Sequence, residues 1–340
     1  MIAAATPDPA AAPDPVLAVE DLRVEFQTLH GRVRAVNGVS YRLHRGETLG
    51  ILGESGSGKS VSAAAVMGLI ESPPGEVTGG RILYRGQDLV TASRAAARRV
   101  RGQKITMIFQ DAITSLNPGL TVGYQIGEAL HVHRGASRSE ARRRAIELMD
   151  RVRIPAAARR VDDYPHQFSG GMNQRVMIAM ALALDPEVLI ADEPTTALDV
   201  TVQAQIMRLL LDLQAETGMA IVLITHDIGV VAEATDQVAV MYAGRVVESG
   251  PVGDIFARPA HPYTIGLMTS MPRLDHKDRR LQPIGGAPPV MTHIPQGCAF
   301  HPRCRWRKEP CAVEIPPLHT VAPGHGSACH FYREVTGERA

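Results

Sequence analysis

The sequence predicts an α/β protein built on a largely parallel sheet. Two short, continuous apolar runs, EVLIAD (187–192) and MAIVLIT (219–225), have the composition of strands that are buried on both faces. A third apolar run (49–52) leads through a Gly-rich segment into a stretch with helical periodicity. Strands that alternate with helices in this way indicate an α/β architecture.

The first part of the chain is rich in predicted strands. The segments VLAVEDLRVEF (16–26) and VNGVSYRLHRGETLGIL (36–52) contain many β-branched residues with partial period-two alternation, which is typical of strands. After Lys59 the pattern changes to that of a helix. One face of this predicted helix would carry the apolar residues Ala63, Val66, Met67 and Ile70.

The two ends of the chain differ in composition from its body. The first residues form an Ala/Pro/Asp tail, a composition that predicts disorder. Two basic segments in the body, 92–101 and 137–152, predict helices with a solvated charged face. Towards the C-terminus prolines become frequent, periodicity fades and the cysteines appear. The predicted parts are a tail, a main domain and a small Cys-rich C-terminal domain, spanning residues 1–15, 16–257 and 258–340.

The bulk composition argues against several classes of function. Among 340 residues, 36 are basic and 35 acidic, which gives a formal net charge of +1, and 4% are aromatic. These values do not favour a nucleic-acid-binding protein. Apolar runs such as VMIAMALAL (176–184) are far shorter than the roughly 18–20 residues that span a bilayer. The N-terminus also lacks the basic start and apolar stretch of a signal peptide. We therefore expect a cytoplasmic protein whose role at a membrane would be peripheral.

The segment GESGSGKS (53–60) predicts a binding site for a nucleoside triphosphate. It has the pattern G-x-x-x-x-G-K-S between a predicted strand and a predicted helix. Its glycines allow a tight turn that points amide N–H groups at phosphate oxygens, and the helix adds its positive N-terminal end. In this motif the lysine reaches the β- and γ-phosphates and the last serine ligates Mg²⁺. The residues expected to bind nucleotide are Gly53, Ser55, Gly56, Ser57, Gly58, Lys59 and Ser60.

Two adjacent carboxylates at the end of a buried strand predict the second half of this site. In VLIADEPTTALD (188–199), Asp192 closes the apolar run and is expected to hold Mg²⁺. Glu193 follows it and is expected to polarise the water that attacks the γ-phosphate. Two neighbouring negative charges at a core strand are unfavourable unless a cation or a substrate uses them.

The segment FSGGMNQR (168–175) indicates which class of nucleotide-binding protein this is. Together with the two motifs above, it makes the chain closely resemble the ATPase subunit of an ATP-binding cassette (ABC) transporter. The resemblance implies a P-loop NTPase fold with a RecA-like core, an antiparallel β subdomain and a helical subdomain at about 111–185. The family pattern has Gln where this chain has Met172, a residue that peptide-importer ATPases tolerate there. In the family this segment starts a helix that grips the γ-phosphate held by another subunit, which implies that role for Ser169, Gly170 and Gly171.

The resemblance implies roles for four further residues. Gln110 in MIFQDAITSLNP matches the Q-loop, which senses Mg²⁺ and the attacking water and couples to the membrane subunits. His226 in LITHDIGV matches the switch histidine near the γ-phosphate, and Asp199 in TALD matches the D-loop at the dimer interface. Phe26 matches the aromatic residue that stacks on adenine. It stays open whether Phe26 instead belongs to the core, and Tyr41 is the competing candidate for the adenine-stacking residue.

The segment that follows the predicted cassette indicates a subgroup of this family. RPAHPYTIGLMTSMP (258–272) resembles the C-terminal extension of oligopeptide and dipeptide importer ATPases, and DAITSLNP (111–118) also fits that group. The resemblance implies an ATPase subunit at the cytoplasmic face of a bacterial membrane, attached through two permease subunits. Its other partners would be a second, related ATPase subunit and an extracytoplasmic peptide-binding protein. Nickel or another small solute stays open as cargo, and a soluble, non-transport ABC ATPase is the rival class.

The four cysteines predict a metal centre in the C-terminal domain. Their spacing is C-x5-C-x6-C-x17-C. Disulfides are disfavoured in a reducing cytoplasm, and structural zinc sites usually contain C-x2–4-C pairs that are absent here. A 4Fe–4S cluster takes four thiolates from loops of irregular length, which suits this spacing better. Several peptide-importer ATPases have a similar tail that is interpreted as a cluster site. The expected ligands are Cys298, Cys304, Cys311 and Cys329, and His301, His319, His325 and His330 keep a mixed zinc site open.

Overall fold

The computed structural model describes residues 14–196, 198–270 and 283–337. The tail that the sequence predicts to be disordered, residues 1–15, lies outside the described residues except for its last two positions. The described strands form two sheets. In chain order the strands are β1 (Leu17–Thr28), β2 (Gly31–Leu43), β3 (Thr48–Leu52), β4 (Gly75–Tyr84), β5 (Gln87–Asp88), β6 (Ile105–Ile108), β7 (Val188–Asp192), β8 (Ala220–Thr225), β9 (Gln237–Tyr242), β10 (Arg245–Pro251), β11 (His319–Ala322) and β12 (His325–Ser327).

The larger sheet has the predicted buried strands at its centre. Its strand order is β11-β12-β10-β9-β3-β8-β7-β6, and the strands from β9 to β6 are parallel. Every residue of β3, β7 and β8 is buried, as their continuous apolar sequences predict. Because parallel strands end at the same edge of a sheet, the segments that follow β3, β6, β7 and β8 meet there.

The second sheet is antiparallel and covers one face of the first. Its order is β2-β1-β4-β5, and β1 pairs along its length with both β2 and β4. Alternate residues of β7 point to opposite sides. Val188 and Ile190 pack with the apolar residues of the antiparallel sheet, whereas Leu189 and Ala191 pack with the helices on the other face. The architecture therefore contains the core, the antiparallel layer and the helical layer that the sequence predicts.

The helices lie mainly between β5 and β9. Those around α4 (Val122–Arg134), α5 (Arg138–Arg151) and α7 (Gly170–Ala181) form an apolar cluster that includes the fully buried Ile126, Leu148 and Val176. The helices in chain order are α1 (Lys59–Met67), α2 (Arg94–Val100), α3 (Ala112–Ser115), α4 (Val122–Arg134), α5 (Arg138–Arg151), α6 (Ala157–Arg160), α7 (Gly170–Ala181), α8 (Val200–Thr217), α9 (Ile228–Ala234), α10 (Val252–Ala257), α11 (Pro262–Thr269), α12 (Pro310–Val313) and α13 (Tyr332–Gly337).

The helix after Lys59 is shorter than its predicted apolar face. Gly68 has a φ of +67° and its N–H bonds to carbonyls of the last turn, which ends α1 at Met67. Ile70, predicted on the helical face, therefore lies beyond the helix. It still packs against the core between the two sheets, next to Phe26.

The C-terminal part of the chain, which comprises the described residues 258–270 and 283–337, packs against the main sheet and extends it. β12 pairs antiparallel with β10, and β11 pairs with β12 at the outer edge. Tyr242 of β9, Tyr263 of α11 and Phe300 form an aromatic cluster, with ring centroids 4.6–5.4 Å apart. The fully buried carboxylate of Glu248 accepts hydrogen bonds from the backbone N–H groups of Ala260 and His261. The C-terminal part is therefore joined to the sheet by strand pairing, aromatic contacts and a buried carboxylate.

Candidate active site

The segment 53–60 forms a tight loop between β3 and α1. Gly58 precedes the helix with a φ of +99°, and Gly56 has a φ of +78°, values that favour glycine. A Cβ at Gly53 or Gly58 would collide with the carbonyl oxygens of Met241 and Ala35, respectively. The loop therefore needs glycine at these positions, and its amides lead into the N-terminus of a nine-residue helix. Such a helix start attracts anions.

Lys59 is buried inside this loop. Its Nζ donates to the carbonyl oxygens of Gly53 (2.8 Å) and Glu54 (3.0 Å). Burial lowers the pKa of Lys59, while the carboxylates of Glu193, Asp192 and Glu54 act in the opposite direction. The ammonium group is thus held at the centre of the loop, where it can exchange its hydrogen bonds to backbone carbonyls for hydrogen bonds to phosphate oxygens.

Ser60 and Asp192 meet at the carboxyl edge of the sheet. The Ser60 hydroxyl donates to Oδ1 of Asp192 over 3.0 Å. Burial raises the pKa of Asp192, and the Glu193 charge adds to this, while the bond from Ser60 and the Lys59 charge act against it. A hydroxyl and a buried carboxylate side by side are oxygen ligands of the kind that Mg²⁺ takes alongside substrate phosphates. The two side chains therefore fit the ion that the sequence predicts here.

Glu193 receives contacts from three side chains. Its Oε2 accepts from Gln110 Nε2 (3.0 Å) and Thr196 Oγ1 (2.9 Å), and its Oε1 lies 3.1 Å from His226 Nδ1. Burial would raise the pKa of Glu193, but the bonds from His226 and Thr196 and the nearby positive charges hold it below its usual range. The predicted residues Gln110 and His226 thus meet at one carboxylate, which stays ionised at neutral pH.

The backbone of Glu193 has an uncommon conformation. Its φ is +47°, in the left-handed region that non-glycine residues rarely adopt. Its N–H donates to the carbonyl of Ile224 in the neighbouring strand β8 (2.8 Å). Strained backbone of this kind is concentrated at functional sites, where the surrounding structure enforces it. The strain turns Glu193 out of the line of β7, beside Asp192.

The Ser169–Gly171 segment and Asp199 lie at helix starts. Ser169 caps α7 through a bond from the Met172 N–H (3.4 Å), and Asp199 caps α8 through a bond from the Val202 N–H (3.0 Å). Within the described ranges, no hydrogen bond or ion pair joins Ser169, Gly170, Gly171 or Asp199 to the 53–60 loop. The 53–60 loop and the predicted γ-phosphate contact are therefore not joined by hydrogen bonds within the described part of one chain.

Phe26 and Tyr41, the two aromatic candidates for adenine stacking, have different surroundings. Phe26 is half-buried and lines an open cavity of about 430 Å³ together with Ser60 and Val61. Tyr41 is buried in the core between the two sheets, where burial raises its pKa, and its hydroxyl has no hydrogen-bond partner among the described residues. Phe26 therefore borders an open cavity beside Ser60, whereas Tyr41 is enclosed in the core.

The four cysteines line one small cavity. Cys298, Cys304, Cys311 and Cys329 share it with His301 and His330, and its volume is about 10 Å³, roughly the room that one water needs. Among the described residues, no group of three or more His, Cys, Asp or Glu side chains is arranged to hold a metal ion. Four cysteine sulfurs are the right kind and number of ligands for a thiolate-bound metal centre. In this arrangement, however, the cavity between them is too small to hold such a centre.

Burial favours the protonated form of the Cys304 and Cys329 thiols. Burial raises the pKa of Cys304 to about 11 and of Cys329 to about 12, and neighbouring thiols add to both. Of the histidines considered as zinc ligands, His325 is buried against Glu248 (2.9 Å), and His319 stacks on Tyr332. Neither of these two lines the cavity, whereas His301 and His330 do.

Three residues of the site are absent from the sequence-based prediction. Thr196 donates to Glu193, Tyr263 accepts from the Glu54 N–H (2.8 Å), and Arg303 binds the Glu54 carboxylate. Thr196 and Tyr263 lie inside motifs that the sequence shows, the TT after Glu193 and the H-P-Y-T core. Arg303 has no such signal, because its contact depends on how the C-terminal part packs.

Two family models match the chain. The model described as "ABC transporter" matches residues 36–196, and the model described as "Oligopeptide/dipeptide transporter, C-terminal region" matches residues 247–311. A protein of Brucella abortus (strain 2308), named as a peptide import ATP-binding protein, is 50% identical over 332 residues, covering 94% of this chain and 98% of the relative. A Brucella suis biovar 1 (strain 1330) protein with the same kind of name is 51% identical over 315 residues, covering 93% and 94%.

Solved structures with the same fold are ABC cassettes. The dimeric post-hydrolysis state of the cassette MJ0796, bound to ADP and Pi, superposes with a TM-score of 0.62 at 30% identity, covering 69% of this chain and 98% of that one. CbiO1 from Clostridium perfringens, part of the transporter complex cbiONQ, gives 0.61 at 33% identity, covering 72% and 91%. No helix in the described ranges is both long and apolar enough to cross a bilayer. The chain belongs to the ATP-binding cassette family of transporter ATPases, and it carries the C-terminal region of oligopeptide/dipeptide transporters.

Proposed function

We propose that this chain is the ATP-hydrolysing subunit of a bacterial ABC importer for dipeptides or oligopeptides. The observation that carries the proposal is its similarity, at about 50% identity over nearly the full length, to proteins named for peptide import. The C-terminal region of oligopeptide/dipeptide transporters on the same chain supports it independently. Both observations favour the transport function over a soluble cassette protein in DNA repair or translation.

The proposed roles follow the geometry of the site. The 53–60 loop and Lys59 bind the triphosphate, with Phe26 against the adenine. Ser60, Gln110 and Asp192 would hold Mg²⁺, which would offset phosphate charge. Glu193 accepts a proton from the attacking water, and Gln110 and His226 orient its carboxylate through the contacts described above. We propose that residues 16–257 form the ABC nucleotide-binding domain, with the helical subdomain at about 111–185, and that residues 258–340 form the peptide-importer-type C-terminal domain with the four-Cys site.

A dimer completes each site in this proposal. Ser169, Gly170 and Gly171 lie at the start of α7 and have no hydrogen bond to the 53–60 loop among the described residues, and in this proposal they serve the loop of another subunit. We propose that the second subunit is a related ATPase rather than a copy. Two permease subunits would hold the pair at the cytoplasmic face of the membrane, and an extracytoplasmic binding protein would deliver the peptide. Asp199, at the start of α8, would lie at the interface.

Uptake by a strain that lacks the gene tests the proposed cargo. We expect the deletion strain to lose uptake of labelled dipeptides or longer peptides and to regain it with the wild-type chain but not with Glu193→Gln. Unchanged peptide uptake together with lost Ni²⁺ uptake would instead assign the importer to nickel. Unchanged uptake of both, with the protein absent from the membrane fraction, would contradict the importer function.

We also propose that the four cysteines bind a 4Fe–4S cluster, with zinc as the alternative. The support is their convergence on one cavity and the absence of close C-x2–4-C pairs in the sequence. The cavity would have to widen to take the cluster. The full chain purified without oxygen should contain about four iron atoms per chain and absorb visible light. Changing all four cysteines to serine should remove both signals, whereas a colourless protein with one zinc per chain would contradict the cluster.

A further inference from the structure

Glu54, the second residue of the 53–60 loop, is held from three directions. Its N–H donates to Oη of Tyr263 (2.8 Å), and its carbonyl oxygen accepts from Nζ of Lys59 (3.0 Å). Its two carboxylate oxygens accept from the two terminal nitrogens of Arg303, at 2.7 and 3.0 Å. Such a two-point contact between guanidinium and carboxylate fixes orientation as well as distance. The partners Tyr263 and Arg303 are 209 and 249 residues away along the chain.

Contacts outside the 53–60 loop also hold Arg303 in place. Its side chain is only 5% exposed, and its Nε donates to the carbonyl of Gly285 (3.0 Å). Nη1 also lies 3.3 Å from the hydroxyl of Tyr242, and the guanidinium carbon lies within 6 Å of the ring centres of Tyr242 and Phe300. The bond to Glu54 is the main cause that raises the pKa of Arg303 above its usual value. A rigid, permanently charged group therefore faces the loop.

The charge of Glu54 matters because of what the loop receives. A triphosphate carries several negative charges, and an unpaired carboxylate in the binding loop would repel it through a partly buried, low-dielectric path. Glu54 also attracts the Lys59 ammonium, since it is one of the carboxylates that oppose the lowering of the Lys59 pKa. Pairing Glu54 with Arg303 removes this net charge and leaves Lys59 free to turn towards phosphate.

We propose that Arg303 is a positioning residue of the ATP site, which pairs with Glu54 so that the loop receives the triphosphate without a free carboxylate beside it. The proposal rests on the assignment of residues 53–60 as the phosphate-binding loop. It gives the C-terminal part a direct role in nucleotide binding. Arg303 lies between Cys298 and Cys304 in a turn whose backbone bonds join His301 to both cysteines.

Nucleotide binding by charge-matched variants of the full chain tests the proposal. Arg303→Gln should raise the KM for ATP and the Kd for a fluorescent ATP analogue about tenfold, or ~1.4 kcal/mol. Its kcat should change less, because Arg303 does not contact Glu193. Arg303→Gln combined with Glu54→Gln should return both values to within about threefold of wild type. A role in packing alone does not predict this rescue. Arg307→Gln, an equal charge change at an exposed position four residues away, is the matched control and should match wild type.

Two outcomes would overturn the inference, namely tight nucleotide binding by Arg303→Gln or a double variant as weak as Arg303→Gln. Thermal unfolding without nucleotide shows whether each variant is folded. If Arg303→Gln does not fold, the double variant decides, because a folded double variant as weak as Lys59→Ala contradicts the proposal. Lys59→Ala also separates this inference from the proposed function. If it binds as tightly as wild type, the loop assignment is wrong, whereas if only Arg303→Gln is without effect, the inference alone fails.

Discussion

Glu193→Gln is expected to bind ATP but to hydrolyse it at least about 100-fold more slowly than the wild-type chain, the scale of a lost general base. Glutamine has nearly the same size and can keep hydrogen bonds with Thr196 and Gln110, so the loop after β7 should keep its shape. It cannot accept a proton from water. Phosphate release by the assembled transporter measures the rate, and ATP retained after gel filtration measures binding.

The electrostatic setting of Glu193 is the reason for so large an effect. Three side chains approach its carboxylate, and its pKa lies below the usual value in spite of burial. It is therefore ionised at neutral pH, and His226 lies on the side open to solvent, with 64% of its side chain exposed. An ionised, oriented carboxylate beside Asp192, the proposed Mg²⁺ ligand, can activate water without first losing a proton.

Glu187→Gln is the matched control for this variant. Glu187 immediately precedes β7, at the opposite end of the strand from Glu193, and pairs with Arg85 and Lys104. Its loss should leave hydrolysis unchanged and cost at most ~1 kcal/mol of unfolding free energy, as for other ion pairs near the surface. If Glu193→Gln kept more than about a tenth of the wild-type rate while Glu187→Gln was normal, another group would have to be the base.

The parts of the fold that local sequence encodes could be predicted. The strands at 188–192 and 220–225 follow from continuous apolar runs, and the loop at 53–60 follows from a glycine motif in which Gly53 and Gly58 have no room for a Cβ. The end of α1 could not be placed from periodicity alone. Ile70 continues the apolar pattern, but the left-handed conformation of Gly68 ends the helix at Met67, three residues earlier.

The parts that depend on distant contacts could not be predicted. β11 and β12 are short and have no regular alternation, so their pairing at the edge beside β10 is invisible in the sequence. The ion pair of Arg303 with Glu54 joins residues 249 positions apart in the chain, and neither residue belongs to a motif that would indicate the other. The φ of +47° at Glu193 also arises from tertiary constraints rather than from a local preference.

Lys59→Ala is expected to weaken ATP binding about 100-fold. A charge-assisted hydrogen bond contributes about 1.5–3 kcal/mol, and each 1.4 kcal/mol is a factor of ten in affinity. The variant removes the buried ammonium that Gly53 and Glu54 hold at the centre of the loop, and alanine offers no replacement. Titration of the full chain with a fluorescent ATP analogue in the presence of Mg²⁺ measures the loss.

The pH dependence of the residual activity tests the same charge independently. Burial raises the pKa of Asp192 and the Lys59 charge lowers it, so removing Lys59 raises this pKa further. The Asp192 carboxyl then stays protonated up to a higher pH. As the pH is lowered from neutral, Mg²⁺-dependent hydrolysis by Lys59→Ala should therefore begin to decline at a higher pH than hydrolysis by the wild type. Lys104→Ala, which removes a half-exposed lysine paired with Glu187, should change neither affinity nor pH profile. Wild-type affinity in Lys59→Ala would mean that the triphosphate binds elsewhere.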